Sequence, residues 1–151
     1  MRSLWNSFRC AFRGIFRAAA RERNMRIHMT LAFYALLLGV FFPLSRTQFG
    51  ILCLTIALVT ASEVFNTALE RLCDSLDPGY NRNIRLVKDL SSGAVLLSAF
   101  GAAAVGAAFF LRVGRLRELF FQLLERPAAL AALLLSLAAA FFFIRGRKPR
   151  P

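Results

Sequence analysis

Four polar residues interrupt an otherwise apolar stretch of this chain, at a spacing that places them on one helical face. They are Glu63, Asn66, Glu70 and Asp74, at positions i, i+3, i+7 and i+11. Because successive helical residues are rotated by about 100°, these side chains form a narrow stripe. Ionisable groups are costly inside a membrane-spanning segment, so the stripe predicts a functional site or polar contacts between helices.

Carboxylates at the end of such a helix can hold Mg²⁺, which prefers oxygen ligands and keeps water and substrate phosphates in its shell. A deeper carboxylate can act as general base on a hydroxyl presented from the bilayer. Lys88 and Asp89 open the next apolar run and would add a cation and another anion. Glu22 and Arg26 are one helical turn apart, which predicts an ion pair at the surface, near the same ends of the membrane-spanning segments. The sequence contains neither G-x-x-x-x-G-K-[ST] nor G-x-G-x-x-G, the glycine-rich motifs of soluble nucleotide-binding domains. If the protein binds ATP, it does so without a known soluble nucleotide-binding fold.

Two readings without catalysis use the same stripe. In a membrane scaffold, the stripe would serve only helix assembly, or pair with Arg26, Arg71 or Lys88. In a transporter it would form part of an ion path. The later apolar runs carry no ionisable partner deep in the bilayer, which argues against a complete path within one subunit.

Composition places these residues in a membrane protein. The 151 residues are 58% hydrophobic and 13% aromatic, and the net charge is +12. The charges are separated from the apolar runs, which favours contact with anionic headgroups over nucleic-acid binding. The three cysteines are isolated, so no zinc or disulfide framework is indicated, and Cys53 and Cys73 are predicted to be small buried residues within helices.

The pattern predicts an all-α integral membrane helical bundle. An N-terminal amphipathic surface helix precedes three core transmembrane helices, and a basic, amphipathic linker leads to a fourth. A strong turn signal, Asp77-Pro78-Gly79, lies between the second and third spans. The predicted ranges are 1–26 for the surface helix, 27–43, 49–72 and 93–111 for the core spans, 112–126 for the linker, 128–144 for the fourth span and 145–151 for the basic tail.

The distribution of Lys and Arg predicts the orientation. Residues 1–26 carry seven, 71–90 carry four and the tail carries four, whereas the loop between the first two spans carries only Arg46. Both termini and the middle loop are therefore predicted to be cytoplasmic. The four arginines of 112–126 oppose this assignment, because four spans place that segment outside.

Two longer motifs resemble a known family. Residues 63–74 fit E-x-x-N-T-A-[IL]-E-x-x-x-D, and residues 87–95 fit A-K-D-x-[AS]-[AS]-[GA]-A-V except for Val87 in the first position. Residues 11–14 and 22–28 match as well. In order and spacing these motifs resemble the prokaryotic diacylglycerol kinase and undecaprenol kinase family, over roughly residues 5–111. Residues 1–111 would form the lipid kinase membrane domain, and residues 112–151 would follow it.

The resemblance implies an integral kinase of the bacterial cytoplasmic membrane, a homotrimer with shared active sites facing the cytoplasm. It would transfer the γ-phosphate of ATP, with Mg²⁺, to a membrane lipid alcohol. The roles implied by matching positions are as follows: Glu63 as general base with Asn66 beside it; Glu22 and Glu70 as metal ligands; Cys10, Glu22, Glu70, Asp74, Lys88 and Asp89 around the nucleotide; and Glu63, Asn66 and Ser92 at the lipid substrate.

This chain departs from the family pattern at several positions. Cys10 and Asn81 stand where the family often has Tyr and His, and the resemblance places Cys10 near the adenine side of the nucleotide. Residues 24–28 look more like the undecaprenol kinase branch than the diacylglycerol kinase branch. Undecaprenol and diacylglycerol both present a primary hydroxyl at the interface, and both are expected as candidate substrates.

Overall fold

The computed structural model describes residues 4–76 and 81–146. Within these ranges the chain is helical, with no strand, in agreement with the predicted all-α class. The 77–79 turn and the end of the basic tail, from residue 147, lie outside the described residues. The helices are α1 Leu4–Arg21, α2 Arg23–Phe41, α3 Arg46–Leu76, α4 Arg82–Phe110, α5 Val113–Leu124 and α6 Pro127–Arg145.

Four of these helices, α2, α3, α4 and α6, are long and apolar enough to cross a membrane. Even the shortest, of 19 residues, extends about 28 Å at 1.5 Å per residue, close to the thickness of the hydrocarbon core. Three core spans and one extra C-terminal span were predicted, and these four helices correspond to them. The chain is a multi-pass membrane protein.

The N-terminal helix is shorter than predicted. The expected surface helix over 1–26 ends at Arg21, and Glu22 has extended backbone, with φ −95° and ψ 125°. Arg23 then begins α2, which contains the first apolar run. Glu22 occupies the N-cap position of α2, but its side chain makes no capping hydrogen bond and is left available for another partner.

Packing joins the helices in a defined order. The most extensive contact is between α3 and α4, α2 packs on α3, and α6 packs on α2 and on α5. The Tyr34 hydroxyl of α2 donates to Ser136 Oγ of α6 at 3.1 Å. At the other end of α2, Arg115 of α5 donates to the carbonyl oxygen of Phe41 at 3.1 Å. α6 therefore runs back towards the end of the molecule at which α2 begins.

Most large apolar side chains lie on the outside, as expected for helices solvated by lipid. On α1 the entire apolar face is exposed, including Trp5 at 75%. Cys73 is buried between helices, as predicted, whereas the prediction of a buried Cys53 was wrong, because this side of α3 faces outward. The few buried positions are concentrated where α3 meets its neighbours, and three of them are polar.

Candidate functional site

The polar stripe of α3 runs from a buried position to the exposed end of the helix. Glu63 is 2% exposed and Asn66 is 6% exposed. Glu70, one turn further on, is half-buried, and Asp74 is exposed. The regular helix thus carries one row of polar groups from the interior of the bundle to the boundary at which α3 ends and α4 begins.

Asn66 is the centre of a hydrogen-bond network that joins α3 to α4. Its Nδ2 donates to Glu70 Oε1 at 3.0 Å, and its Oδ1 accepts from Ser91 Oγ at 2.7 Å and from Ser92 Oγ at 3.4 Å. Ser91 also donates to the Lys88 carbonyl of its own helix at 3.0 Å. The Asn66 amide fixes the orientation of the Glu70 carboxylate and the register of the two helices at this level.

Glu63 differs from its neighbours because its side chain makes no hydrogen bond to any residue within 4–76 or 81–146, and its Oε2 is buried and unpaired. The negative charges of Glu70 and Glu22 both act on it, which places the three carboxyl groups in one neighbourhood. Buried polar groups are normally paired in native structures, so an orphaned carboxyl oxygen calls for an explanation. A carboxyl group without a protein partner has a lone pair free for a substrate hydroxyl.

Glu22 reaches this neighbourhood from the break between α1 and α2. Its Oε1 accepts from Arg71 Nη2 of α3 at 3.3 Å. The predicted Glu22–Arg26 ion pair is not among the ion pairs of the described residues. The Arg26 amide still donates to the Glu22 carbonyl at 3.3 Å, but the extended backbone of Glu22 turns its carboxylate towards α3. Arg71 was considered only as a partner for the stripe, and it pairs with Glu22 instead.

At the exposed end of the stripe, Lys88 of α4 forms an ion pair with Asp74. The charge of Glu70 also acts on Lys88, so the lysine faces the same row of carboxylates. Both groups are open to solvent, where a charged ligand can replace the pair at little cost. This pairing was among the alternatives for the stripe, and it occurs only at its outermost residue.

The structure brings most of the predicted site residues together, but not all. Glu63, Asn66, Glu70 and Asp74 meet Glu22, Lys88 and Ser92 at the junction of α2, α3 and α4. Cys10 and Asp89 are exposed, and neither side chain makes a hydrogen bond or ion pair with another described residue. Ser91 was missed, although it precedes Ser92 in the second motif and lies one turn after Lys88.

A cavity of about 420 Å³ lies beside the buried end of the stripe, between α2, α3 and α4. Its walls are mainly apolar, and Val59 and Thr60 of α3 line it about one turn before Glu63. His28 of α2 also lines the cavity. Glu63 itself does not line this space, so the geometry places a buried carboxyl group about one helical turn from an apolar cavity in the membrane-spanning part of the bundle.

The carboxylates can be tested against a magnesium site. The described part of the chain contains no group of three or more His, Cys, Asp or Glu side chains arranged to hold a metal ion. Glu22 and Glu70 provide two carboxylates towards the exposed end of the stripe. Mg²⁺ is usually bound by one or two carboxylates together with substrate phosphates and water, so this donor set fits an ion that arrives with a nucleotide.

Comparison with known proteins agrees with these observations. The family model for prokaryotic diacylglycerol kinase matches residues 9–110, from α1 to the end of α4. A protein named diacylglycerol kinase from Synechocystis sp. is 36% identical over 106 residues, which cover 70% of this chain and 61% of that protein. The chain thus spans about three fifths of the length of that relative. α5 and α6 lie beyond the segment that the family model matches. The chain belongs to the prokaryotic diacylglycerol kinase family.

Proposed function

We propose that this protein is a lipid kinase that transfers the γ-phosphate of ATP to the hydroxyl of a membrane lipid alcohol. The observation that carries the proposal is the buried, unpaired Glu63 carboxyl oxygen beside an apolar cavity and in line with charged groups that lead to the exposed end of α3. This arrangement suits a reaction between an apolar alcohol from the bilayer and a charged donor from water. Membership of the family supports the same chemistry.

In the proposed reaction, the Glu63 carboxylate accepts the proton of the lipid hydroxyl. The alcohol oxygen forms a bond to the γ-phosphorus, the bond from that phosphorus to the β,γ-bridging oxygen breaks, and ADP leaves with the electron pair. Asn66 holds Glu70 in place through its 3.0 Å hydrogen bond. Asn66 and Ser92, which are joined by a 3.4 Å hydrogen bond, would contact the incoming lipid. Positioning and charge neutralisation supply most of the rate in phosphoryl transfer.

Glu22 and Glu70 would hold Mg²⁺, and the ion would neutralise charge on the phosphates. Lys88 lies at the exposed end of the stripe, where exchange of Asp74 for a phosphate gives it a charge-assisted contact with the nucleotide. Cys10 and Asp89 complete the proposed nucleotide environment, although they stand apart from the cluster within one chain. A homotrimer with shared sites, in which a neighbouring subunit supplies such contacts, is part of the proposal.

The choice of lipid stays open between undecaprenol and diacylglycerol. The named relative favours diacylglycerol, whereas residues 24–28 favour undecaprenol. The active site is proposed to face the cytoplasm, because α1 and the 71–90 segment carry most of the basic residues at that end of the bundle.

The test is ATP-dependent phosphorylation by purified protein in mixed micelles, with each lipid offered separately. We expect product from at least one lipid and a loss of at least about a hundredfold in turnover for Glu63→Gln, the scale of a positioned general base. The control is Thr60→Val, a cavity-lining change one turn away that leaves every carboxyl in place. Turnover by Glu63→Gln at the rate of Thr60→Val would refute the role of Glu63. Absence of product with both lipids, from folded protein, would favour the scaffold reading.

A further inference from the structure

The end of α6 and the beginning of α2 border a second cavity, which is open to the outside and lies away from the proposed active site. It has a volume of about 380 Å³ and is lined by Arg23 and Arg145 together with Phe141 and Ile144. The guanidinium group of Arg26 reaches the same junction, because it lies against the backbone of the residue that follows α6. Guanidinium groups and apolar side chains thus share one space at the common end of two membrane spans.

The positive charges at this junction have no carboxylate partner in the described part of the chain. Arg71, Lys88 and Arg115 each form an ion pair, whereas Arg23, Arg26 and Arg145 form none. The Nε of Arg26 is buried without a hydrogen-bond acceptor among the described residues.

The helix dipoles oppose one another here, because α2 begins where α6 ends, so the positive charge of the junction comes from its guanidinium groups. The lining offers no acidic side chain, so the surplus of positive charge calls for a ligand with negative charge.

We propose that this cavity binds the phosphate of an anionic membrane phospholipid. Arg23 and Arg145 hold the phosphate oxygens through charge-assisted hydrogen bonds, and Phe141 and Ile144 pack against the glycerol and the first methylene groups. The apolar walls and the position at the ends of α2 and α6 favour a lipid over a free phosphate ion. The site requires α6, which lies outside the segment matched by the family, and it does not depend on the proposed kinase reaction.

The test is a titration of the full-length protein in detergent with phosphatidylglycerol, followed by native mass spectrometry, with phosphatidylcholine as the neutral comparison. We expect preferential binding of phosphatidylglycerol, weakened about tenfold or more when both arginines are replaced in Arg23→Gln/Arg145→Gln. The matched control is Arg85→Gln, which removes an exposed charge near the beginning of α4. An equal loss in the control would overturn the proposal in favour of general surface charge, and no loss in the double variant would show that the lipid does not bind at these arginines.

A second pair of measurements separates a lipid from a soluble anion. If the ligand is a lipid, Phe141→Ala/Ile144→Ala weakens phosphatidylglycerol binding, and millimolar inorganic phosphate does not displace the lipid. Displacement by phosphate together with unchanged binding by this apolar variant would instead show a site for soluble anions.

Circular dichroism checks the helix content of each variant. If Arg23→Gln/Arg145→Gln does not fold, Arg23→Lys/Arg145→Lys replaces it. That variant keeps both positive charges but loses the planar guanidinium groups, which can each donate two parallel hydrogen bonds to a phosphate. We therefore expect weakened binding of phosphatidylglycerol that still exceeds binding of phosphatidylcholine. Affinity equal to that of the wild type would refute direct contact with the phosphate.

Discussion

Replacement of Asn66 by alanine tests the network that joins α3 to α4. The substitution removes the 2.7 Å hydrogen bond from Ser91 between the helices, the longer one from Ser92 and the 3.0 Å bond to Glu70. Hydrogen bonds between membrane helices contribute about 0.6 kcal/mol on average, and a bond to a charged group contributes more. Since Glu70 is half-buried and regains some water, we expect a loss of about 2–3 kcal/mol in the free energy of unfolding.

The assay is reversible unfolding in mixed micelles by an increasing mole fraction of sodium dodecyl sulfate, followed by far-UV circular dichroism. Ser98→Ala is the matched control on α4, because the Ser98 hydroxyl donates only to the Val95 carbonyl of its own helix, at 2.8 Å. A double-mutant cycle of Asn66→Ala with Ser91→Ala isolates the interhelical bond, with an expected coupling of about 0.6–1.7 kcal/mol. A loss for Asn66→Ala no greater than that for Ser98→Ala would refute the assignment of this network as the α3–α4 connection.

Three further predictions concern other parts of the molecule. Glu70→Gln should raise the Mg²⁺ concentration needed for half-maximal phosphorylation, since it removes one of two proposed carboxylate ligands; an unchanged Mg²⁺ titration removes Glu70 from the metal site. Gly146→Ala should cost about 1–3 kcal/mol, because Gly146 has φ +57° and ψ 159°, a backbone conformation that residues other than glycine rarely adopt; the same unfolding assay measures it. Tyr34→Phe should cost about 0.6 kcal/mol by removing the 3.1 Å bond to α6, and a cost that persists when Ser136 is alanine would contradict this origin.

The spans and the stripe were predictable from the sequence because both depend on local patterns. A run of about 20 apolar residues specifies a membrane helix, and residues three, seven and eleven positions apart fall on one helical face. The stripe passes from the interior to the surface because α3 extends out of the bundle at its C-terminal end. Glu63 and Asn66 are therefore buried and Asp74 is exposed.

Other contacts depended on geometry that sequence spacing does not specify. Glu22 and Arg26 are four residues apart, which suggests an ion pair, but one extended residue breaks the helix there and directs Glu22 to Arg71, 49 positions away. The role of Ser91 as a partner of Asn66 depends on how α4 is rotated against α3. This rotation decides which of the two adjacent serines, Ser91 or Ser92, lies closer to Asn66, and sequence spacing does not specify it. Likewise, which side of α3 faces outward decided the exposure of Cys53.

The distribution of buried groups supports a functional origin for the stripe. Lipid can solvate apolar side chains, so a membrane bundle gains little by burying them and leaves most of them outside. In this chain the side chains that are withdrawn from the surroundings nevertheless include Glu63, Asn66 and Thr67, whose burial is costly. The hydrogen bonds that Asn66 accepts from α4 offset the cost of its burial, and a structural role is enough to explain why Asn66 is buried. Glu63 recovers nothing within the described residues, and the proposed substrate hydroxyl would supply the missing partner.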